Sequence, residues 1–205
     1  MRKIVLKTLT DYFKNTLSFG LSISFLSVSL YLLGLMTSQV DSLLSYQRLD
    51  IQSGDFWQLI TGNLLHTNHW HLIMNLAGLW VILSLHDMHY STKSLWLLFA
   101  GLCLLEGLGL YLFYPALLGY VGLSGVLHGL FAFGAVADIK RKMTSGWLLF
   151  IGVIAKVSYE QVYGASADVT TMIGARVATE SHLVGAISGL ILSMSIIIFQ
   201  PRNIS

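Results

Sequence analysis

The stretch that decides the fold is residues 120–129, which read Tyr-Val-Gly-Leu-Ser-Gly-Val-Leu-His-Gly. It holds Ser124 where a charge-free loop turns into an apolar helix, with Gly122 and Gly125 close on either side. A helix N-terminus has unpaired N–H groups and a dipole that favours negative charge. A nucleophilic serine needs such a position because its attack creates an oxyanion that must be stabilised. Ser124 could equally be a small residue that packs two membrane helices, so the rest of the chain has to decide.

Composition places the chain in a membrane. It has 205 residues, of which 55% are hydrophobic and only 11% are charged. A soluble domain usually carries roughly 25% charged residues. We therefore expect a polytopic membrane protein folded as one bundle. The single cysteine, Cys103, excludes an internal disulfide.

Apolar runs of membrane-spanning length predict an all-α bundle of six transmembrane helices. The first run is longer than the apolar core of a signal peptide, about 7–15 residues, so we expect an uncleaved helix. A basic segment, 1–15, precedes the predicted membrane domain, 16–200, and a short tail, 201–205, follows it. The predicted spans are 16–36, 70–86, 94–113, 124–138, 146–160 and 180–199.

Lysine and arginine orient these spans, because short cytoplasmic loops carry an excess of them. With both termini in the cytoplasm, only Arg48 and Arg176 lie outside, and Lys156 falls within the fifth span. The nine cations inside are Arg2, Lys3, Lys7, Lys14, Lys93, Lys140, Arg141, Lys142 and Arg202. The sequence therefore predicts cytoplasmic N- and C-termini.

This topology brings polar groups from three spans to the outer leaflet, since the second, fourth and sixth spans begin there. The groups are His71, Asn75, Ser124 and His182. Small residues four apart let membrane helices approach closely. Two such pairs occur, Gly125 with Gly129 and Gly185 with Gly189. Close packing of the fourth and sixth spans could carry Ser124 and His182 into hydrogen-bonding range.

Depth predicts a cavity beside the serine. The fourth span has about 15 residues before its basic anchor, which is about 22 Å of helix. The hydrocarbon layer is about 30 Å thick, so Ser124 lies below the outer surface. Irregular backbone at that depth is tolerated only inside protein or beside water. We therefore expect Gly122 and Leu123 to line a water-filled, outward-facing cavity.

Three separated motifs resemble those of the rhomboid intramembrane serine proteases. They cover roughly residues 55–190, in the order found in that family. The motifs are His66-x4-His71-x3-Asn75, Gly122-Leu123-Ser124-Gly125 and Ser181-His182-x2-Gly185-x3-Gly189. The resemblance implies a rhomboid-like six-helix bundle and a serine endopeptidase that needs no cofactor or metal.

The resemblance also implies roles for individual residues. Ser124 is the expected nucleophile and His182 the expected general base, in a dyad without an aspartate. The oxyanion hole is expected to use the side chains of His71 and Asn75 with the backbone N–H groups of Ser124 and Leu123. The residues expected to line the pocket or pack on the base are His128, Gly122, Gly125 and His66. Gly129, Gly185 and Gly189 are expected to pack helices.

The chain departs from the family pattern at two positions. Rhomboids commonly carry Trp-Arg in the first outer loop, and this chain has Trp57-Gln58, so we expect different loop packing. Many rhomboids have an aromatic residue four positions after the serine, where this chain has His128. In addition, Asp87 stands where the family often has a structural glutamate.

The run Gly-Leu-Ser-Gly-Val-Leu-His-Gly in so short a chain resembles the rhombosortase branch. That branch implies a location in the bacterial inner membrane, with the active site open to the periplasmic side. The implied substrates are exported proteins anchored in the bilayer by a C-terminal helix that follows a Gly-Gly-type motif. Water or a lipid amine would accept the acyl group, and no nucleic acid partner is expected.

The residues leave several alternatives open. His128 lies one turn from Ser124 and could itself be the base. A cluster of His66, His69 and His71 could bind a metal ion, since imidazole is a common zinc ligand. Glu106 and Lys156 are ionisable groups within predicted spans, which a transporter would need. A non-catalytic rhomboid-like protein that binds membrane helices is a further alternative.

Overall fold

The computed structural model describes the backbone of residues 16–199 and the side chains of residues 16–194. The predicted cytoplasmic segments, 1–15 and 201–205, lie outside these described residues. So do five of the cations used to orient the chain, Arg2, Lys3, Lys7, Lys14 and Arg202.

Helices dominate the described residues. In chain order the elements are α1 (Leu17–Met36), α2 (Gln39–Leu44), β1 (Tyr46–Gln47), α3 (Arg48–Ser53), α4 (Gln58–Thr61), α5 (His69–His86), α6 (Thr92–Phe113), β2 (Gly119–Tyr120), α7 (Ser124–Lys140), α8 (Thr144–Tyr163), α9 (Ala167–Ile173) and α10 (Thr179–Phe199). Short 3₁₀ turns at Gly62–Leu64 and Asp87–His89 lie on either side of α5.

The six predicted spans correspond to α1, α5, α6, α7, α8 and α10, with ends that differ by at most three residues. Capping explains most of the differences. Asn68 and Ser91 accept hydrogen bonds from backbone N–H groups and so start α5 and α6 earlier than the apolar runs do. Helix α8 passes through Glu160 and ends only at Gly164, whose φ of +75° a residue with a side chain rarely adopts.

Three helical stretches among the described residues are long and apolar enough to cross a membrane. They are Leu17–Met36, His69–His89 and Thr92–Phe113. Of the other three long helices, α7 has 17 residues and α8 contains Lys156 and Glu160.

Helix α7 is the centre of the bundle and contacts α5, α6, α8 and α10. Most of its residues are buried, as expected for a helix that is apolar on nearly every side. Glycines set its distance from α10. A Cβ on Gly185 would lie 1.9 Å from the carbonyl oxygen of Gly125, and one on Gly189 would lie 2.1 Å from that of Gly129. The two glycine pairs therefore lie at this interface, where no larger residue fits.

The segment 37–68, between the first two long helices, is an ordered set of short helices with one strand. Tyr46 and Gln47 of β1 pair antiparallel with Tyr120 and Gly119 of β2, which ties the segment to the chain just before Ser124. Sequence analysis missed these elements because none of them is long enough to show a periodic apolar pattern.

Two side chains anchor this segment in place of the Trp-Arg pair expected in the family. The Gln58 side chain is fully buried, and its oxygen accepts a hydrogen bond of 2.9 Å from the backbone N–H of Gln47. Arg48 donates to the carbonyl oxygen of Tyr111 at 2.7 Å, and its guanidinium group stacks on the aromatic ring of Tyr111. The loop is therefore held to the end of α6 by Arg48 and to β1 by Gln58.

Buried polar pairs join the helices at the end of α7 that lies away from Ser124. Asp87 accepts a hydrogen bond of 2.5 Å from the hydroxyl of Thr16, at the start of α1. His89 contacts Asp138 of α7 at 2.5 Å. The side chains of His86 and His89 are only 0% and 4% exposed. They pack inside the bundle because Gly134 of α7 makes room for the His86 ring.

Candidate active site

The loop before α7 fixes the position of Ser124. The backbone N–H of Gly122 donates to the carbonyl oxygen of Gly62 at 3.1 Å, and the Tyr120 hydroxyl donates to the carbonyl of Gly122. Gly122 has a φ of +136°, and a Cβ there would lie 2.8 Å from the His71 ring. Glycine is therefore required at this position for both conformation and space. Ser124 follows as the first residue of α7, so its N–H has no partner within the helix.

His182 faces Ser124 across the α7–α10 interface. It lies in the first turn of α10, and its Nε2 atom is 3.0 Å from the Ser124 hydroxyl oxygen. The His182 side chain is only 6% exposed. The close packing at Gly125 and Gly185 brings the first turns of the two helices together, and that proximity produces the Ser124–His182 contact.

His128 packs on His182 rather than on the serine hydroxyl. The two imidazole rings stack with centroids 4.2 Å apart and planes 20° apart. Nδ1 of His128 lies 2.7 Å from the carbonyl oxygen of Ser124, and Nε2 lies 2.7 Å from Nζ of Lys156. Both of its nitrogens are therefore engaged, and the ring supports one face of His182.

Lys156 and Glu160 extend the site onto α8. The Oε2 atom of Glu160 lies 2.7 Å from Nδ1 of His182 and 2.8 Å from Nζ of Lys156. Glu160 was not predicted as a site residue, and Lys156 was considered only as an ionisable group within a predicted span. The spacing of four residues was the available signal, because residues i and i+4 share one face of a helix.

His71 and Asn75 lie beside the loop that precedes Ser124. Asn68 caps α5 by accepting a hydrogen bond of 2.9 Å from the backbone N–H of His71. Atoms Nε2 of His71 and Nδ2 of Asn75 both lie near the Cα of Gly122, within 4 Å of where a Cβ would project. The buried Nδ2 of Asn75 has no hydrogen-bond partner among the described residues. It is a donor available to a negatively charged oxygen.

His66 packs behind His71 and does not line the cavity. Their rings meet edge to face with centroids 5.0 Å apart, and His66 is 8% exposed. Burial, with a smaller contribution from His71, lowers the pKa of His66 to about 3. His66 is therefore a neutral packing residue at physiological pH.

A cavity of about 370 Å³ opens beside the serine, between α5, α7 and α8. Its lining is mostly apolar, with a few polar groups at the end that holds Ser124. The residues that line it are Asn75, Gly78, Ile82, Ser124, Leu127, His128, Phe131, Gly152, Val153 and Lys156. The expectation that Gly122 and Leu123 line the cavity is wrong, because both are buried in the packing around His71 and the core.

The histidine cluster considered as a metal site does not form. His69 is exposed beside Trp70, whereas His66 and His71 are buried. Among the described residues the arrangement that could hold an ion is instead His128, Glu160 and His182. The ammonium group of Lys156 lies 2.7 to 3.3 Å from one ligand atom of each. A lysine cation therefore occupies the place where a metal ion would bind.

Glu106 lies under the first turn of α7 and outside the cavity. It is fully buried, and a Cβ on Gly125 would lie 2.0 Å from its carboxyl oxygen. The carboxyl group is close to the Tyr120 hydroxyl, but neither of its oxygens makes a well-formed hydrogen bond among the described residues. This enclosed position does not offer a path for a transported solute.

Comparison with known proteins indicates the family of the chain. Residues 53–199 match the family described as Rhomboid domain. The Bacillus subtilis (strain 168) protein named "Putative rhomboid protease YdcA" is 25% identical over 145 residues, which are 71% of this chain and 69% of that protein. Rhomboid protease GlpG of Photorhabdus laumondii subsp. laumondii is 27% identical over 145 residues, again 71% of this chain but only 49% of the relative. The chain is therefore a multi-pass membrane protein that belongs to the rhomboid family.

Proposed function

We propose that this protein is an intramembrane serine endopeptidase in which Ser124 is the nucleophile and His182 the general base. The contact of 3.0 Å between the Ser124 hydroxyl and Nε2 of His182, at the polar end of a largely apolar cavity, is the observation that carries the proposal. It is the geometry that acyl transfer requires, because the base must reach the hydroxyl proton. Both relatives also carry "rhomboid protease" in their names.

The reaction follows from this contact. His182 takes the proton from Ser124 through Nε2 as the serine oxygen attacks a peptide carbonyl of the substrate. The protonated imidazole then gives that proton to the leaving amine as the peptide bond breaks. An acyl-enzyme remains on Ser124, and water attacks its carbonyl carbon while His182 accepts a proton from the water. His182 then gives that proton to the Ser124 oxygen as the ester bond breaks. The products are two peptides and the free enzyme.

Charge on the substrate oxygen is stabilised by donors around Gly122. They are the backbone N–H groups of Ser124 and Leu123 and the side chains of His71 and Asn75. The unpartnered Nδ2 of Asn75 supports this role.

The proposed topology has six spans in one domain, with residues 1–15 and 201–205 in the cytoplasm. It is supported by the charge bias and by the match of six long helices to the six predicted apolar runs. In this orientation the first turns of α5, α7 and α10 face outward. The protein would lie in a bacterial inner membrane, with its active site open to the periplasm.

The proposed substrate is an exported protein anchored by a C-terminal transmembrane helix. A helix must be locally unwound to expose a peptide carbonyl, so glycines near the cleavage site would help. The likeness to rhombosortases supports substrates with a Gly-Gly-type sorting tail, and a lipid amine could then replace water as the acyl acceptor. The mostly apolar cavity between α5, α7 and α8 supports a substrate presented from the bilayer.

A fluorophosphonate probe tests the proposal. Purified protein in detergent is labelled as wild type and as the variants Ser124→Ala, His182→Ala and His128→Ala. We expect labelling of wild type and of His128→Ala, and none of the other two. Labelling that survives in His182→Ala but fails in His128→Ala would assign the base to α7. A folded wild type that is labelled neither in detergent nor in liposomes would favour a non-catalytic helix-binding protein.

A further inference from the structure

We propose that Glu160 is a positioning residue that completes a Ser124–His182–Glu160 relay and selects the catalytic tautomer of His182. The inference rests on the proposed function and goes beyond it, because the family resemblance implies only a dyad. A base that accepts the serine proton through Nε2 must carry its own proton on Nδ1. The group that faces Nδ1 therefore decides whether the histidine can act.

Glu160 is placed to make that selection. Its Oε2 atom lies 2.7 Å from Nδ1 of His182, a short distance typical of a hydrogen bond to a charged acceptor. The two side chains are only 11% and 6% exposed, so little water competes for the contact. A carboxylate has no proton to donate and can only accept. It therefore requires an N–H at Nδ1 and leaves the lone pair of Nε2 facing the Ser124 hydroxyl.

Lys156 makes this selection necessary. Its Nζ atom lies 3.3 Å from the same Nδ1 atom of His182, and an ammonium group can only donate. Without Glu160, this contact would favour a lone pair on Nδ1 and a proton on Nε2, the tautomer that cannot accept the serine proton. The carboxylate is 0.6 Å closer than the ammonium group and is therefore favoured.

Lys156 has two contacts that are closer than its contact with His182. It lies 2.8 Å from Oε2 of Glu160 and 2.7 Å from Nε2 of His128. Because Lys156 donates to Nε2 of His128, that ring must carry its proton on Nδ1, which then donates to the carbonyl oxygen of Ser124. One cation thus pairs with Glu160 and fixes His128 as a neutral support for His182.

Three substitutions separate positioning from a general charge effect. Glu160→Gln removes the carboxylate but keeps the size, and Glu160→Asp keeps a carboxylate that is one methylene shorter. Glu180→Gln is the matched control. Glu180 lies in the first turn of α10, as His182 does. Its carboxylate pairs with Arg176 and makes no hydrogen bond to His182 among the described side chains.

The first measurement is the second-order rate of fluorophosphonate labelling, with thermal unfolding as a check of the fold. Loss of the buried acid from a serine-protease triad costs about 10⁴ in kcat. The carboxylate of Glu160 is shared with Lys156, so we expect a smaller loss of about 10- to 100-fold for Glu160→Gln. We expect partial recovery in Glu160→Asp and a rate close to wild type in Glu180→Gln.

The second measurement reads the tautomer directly. Protein labelled with ¹⁵N in its histidine rings gives distinct signals for Nδ1–H and Nε2–H forms, and His182→Ala identifies the His182 signals. We expect the Nδ1–H form in wild type, Glu160→Asp and Glu180→Gln, and a population of the Nε2–H form in Glu160→Gln. A purely structural role of Glu160 would not produce that change.

Each result bears on one idea or the other. If folded wild type is never labelled, the proposed protease function fails, and the tautomer spectra still decide the role of Glu160. If Glu160→Gln keeps the wild-type tautomer and labelling rate, the relay is wrong. Equal losses in Glu160→Gln and Glu180→Gln would also overturn it, because they would show only a loss of negative charge near α10.

Discussion

The imidazole ring of His128 lies nearly parallel to that of His182, with centroids 4.2 Å apart, and the Ser124 hydroxyl oxygen lies 3.0 Å from Nε2 of His182. The two histidines suggested as alternative bases therefore form one unit. His128 lies one turn along α7 from Ser124 and supports the face of His182. Its nitrogens are engaged with the carbonyl oxygen of Ser124 and with Lys156.

This stack predicts how His128 can be replaced. An aromatic pair contributes about 0.5–1.5 kcal/mol beyond burial, which is about 2- to 12-fold in rate if the stack aligns the base. We expect His128→Ala to lower the rate of fluorophosphonate labelling by that factor and His128→Phe, which keeps a ring, to lower it less. His182→Phe should abolish labelling, because it removes the nitrogen that contacts Ser124. Loss of all labelling in His128→Phe would contradict this division of roles.

Asn75 should contribute to the rate of reaction rather than to the fold. Its Nδ2 atom is buried without a partner among the described residues, so truncation removes no internal hydrogen bond donated by that atom. Removal of one oxyanion donor costs about 10²–10³ in rate. We expect Asn75→Ala to lower labelling to that extent at an unchanged melting temperature.

Asn68→Ala is the contrasting variant, since Asn68 caps α5 through the His71 backbone. Loss of such a cap costs about 1 kcal/mol of stability. We expect a lower melting temperature and a much smaller loss of labelling than in Asn75→Ala. If both variants lose rate and stability together, Asn75 acts as a structural residue.

Length and composition indicated the long helices, and glycine spacing indicated where two of them approach closely. An apolar run in a bilayer must satisfy its own backbone hydrogen bonds, so length and composition indicate a helix directly. Glycines four apart similarly indicate close approach, and Gly125 does lie against Gly185. Ser124 lies one residue before Gly125, and His182 lies three residues before Gly185. The proximity of Ser124 to His182 could therefore be expected.

The role of α8 could not be predicted in the same way. Whether Glu160 faces His182 or the lipid depends on the rotation of α8, and that rotation is set by packing against α7 and α10. Lys156 near a helix end could equally have extended to the membrane surface.

The burial of His66, His69 and His71 could not be predicted for a similar reason. The chain direction at the start of α5 buries His66 and His71 but exposes His69, and spacing alone does not reveal that direction.

His66 should make the stability of the fold depend on pH. Its pKa is about 3 in the folded protein against 6.5 for an ordinary histidine, because burial disfavours the charged form. Between these two pH values the unfolded chain therefore binds one more proton than the folded protein. The stability contributed by the neutral His66 is complete above pH 6.5 and falls as the pH decreases. Between pH 6.5 and 5 this loss is about 2 kcal/mol.

The variant His66→Phe should remove that dependence, since phenylalanine fills the site without a titrating group. Between pH 7.5 and 5, we expect the free energy of unfolding of this variant to fall by about 2 kcal/mol less than that of wild type. His69→Phe, at an exposed position, should keep the wild-type dependence. Identical pH profiles for His66→Phe and wild type would show that His66 is not the responsible group.

The glycine contacts between α7 and α10 should control stability and catalysis together. In Gly185→Ala the new methyl group would lie 1.9 Å from the Gly125 carbonyl oxygen, so α10 must move and carry His182 away from Ser124. Overpacking of this kind costs about 1–3 kcal/mol, and we expect a lower melting temperature together with strongly reduced fluorophosphonate labelling.

Gly189→Ala, at the deeper contact with Gly129, should lose similar stability but retain more labelling, because it lies farther from the dyad. Gly34→Ala in α1, outside the cavity, is the matched control, since the nearest atom to a Cβ there is Oδ1 of Asp41 at 3.7 Å and alanine favours helix by about 1 kcal/mol. If Gly185→Ala melts and labels like Gly34→Ala, close packing of α7 and α10 does not position the base.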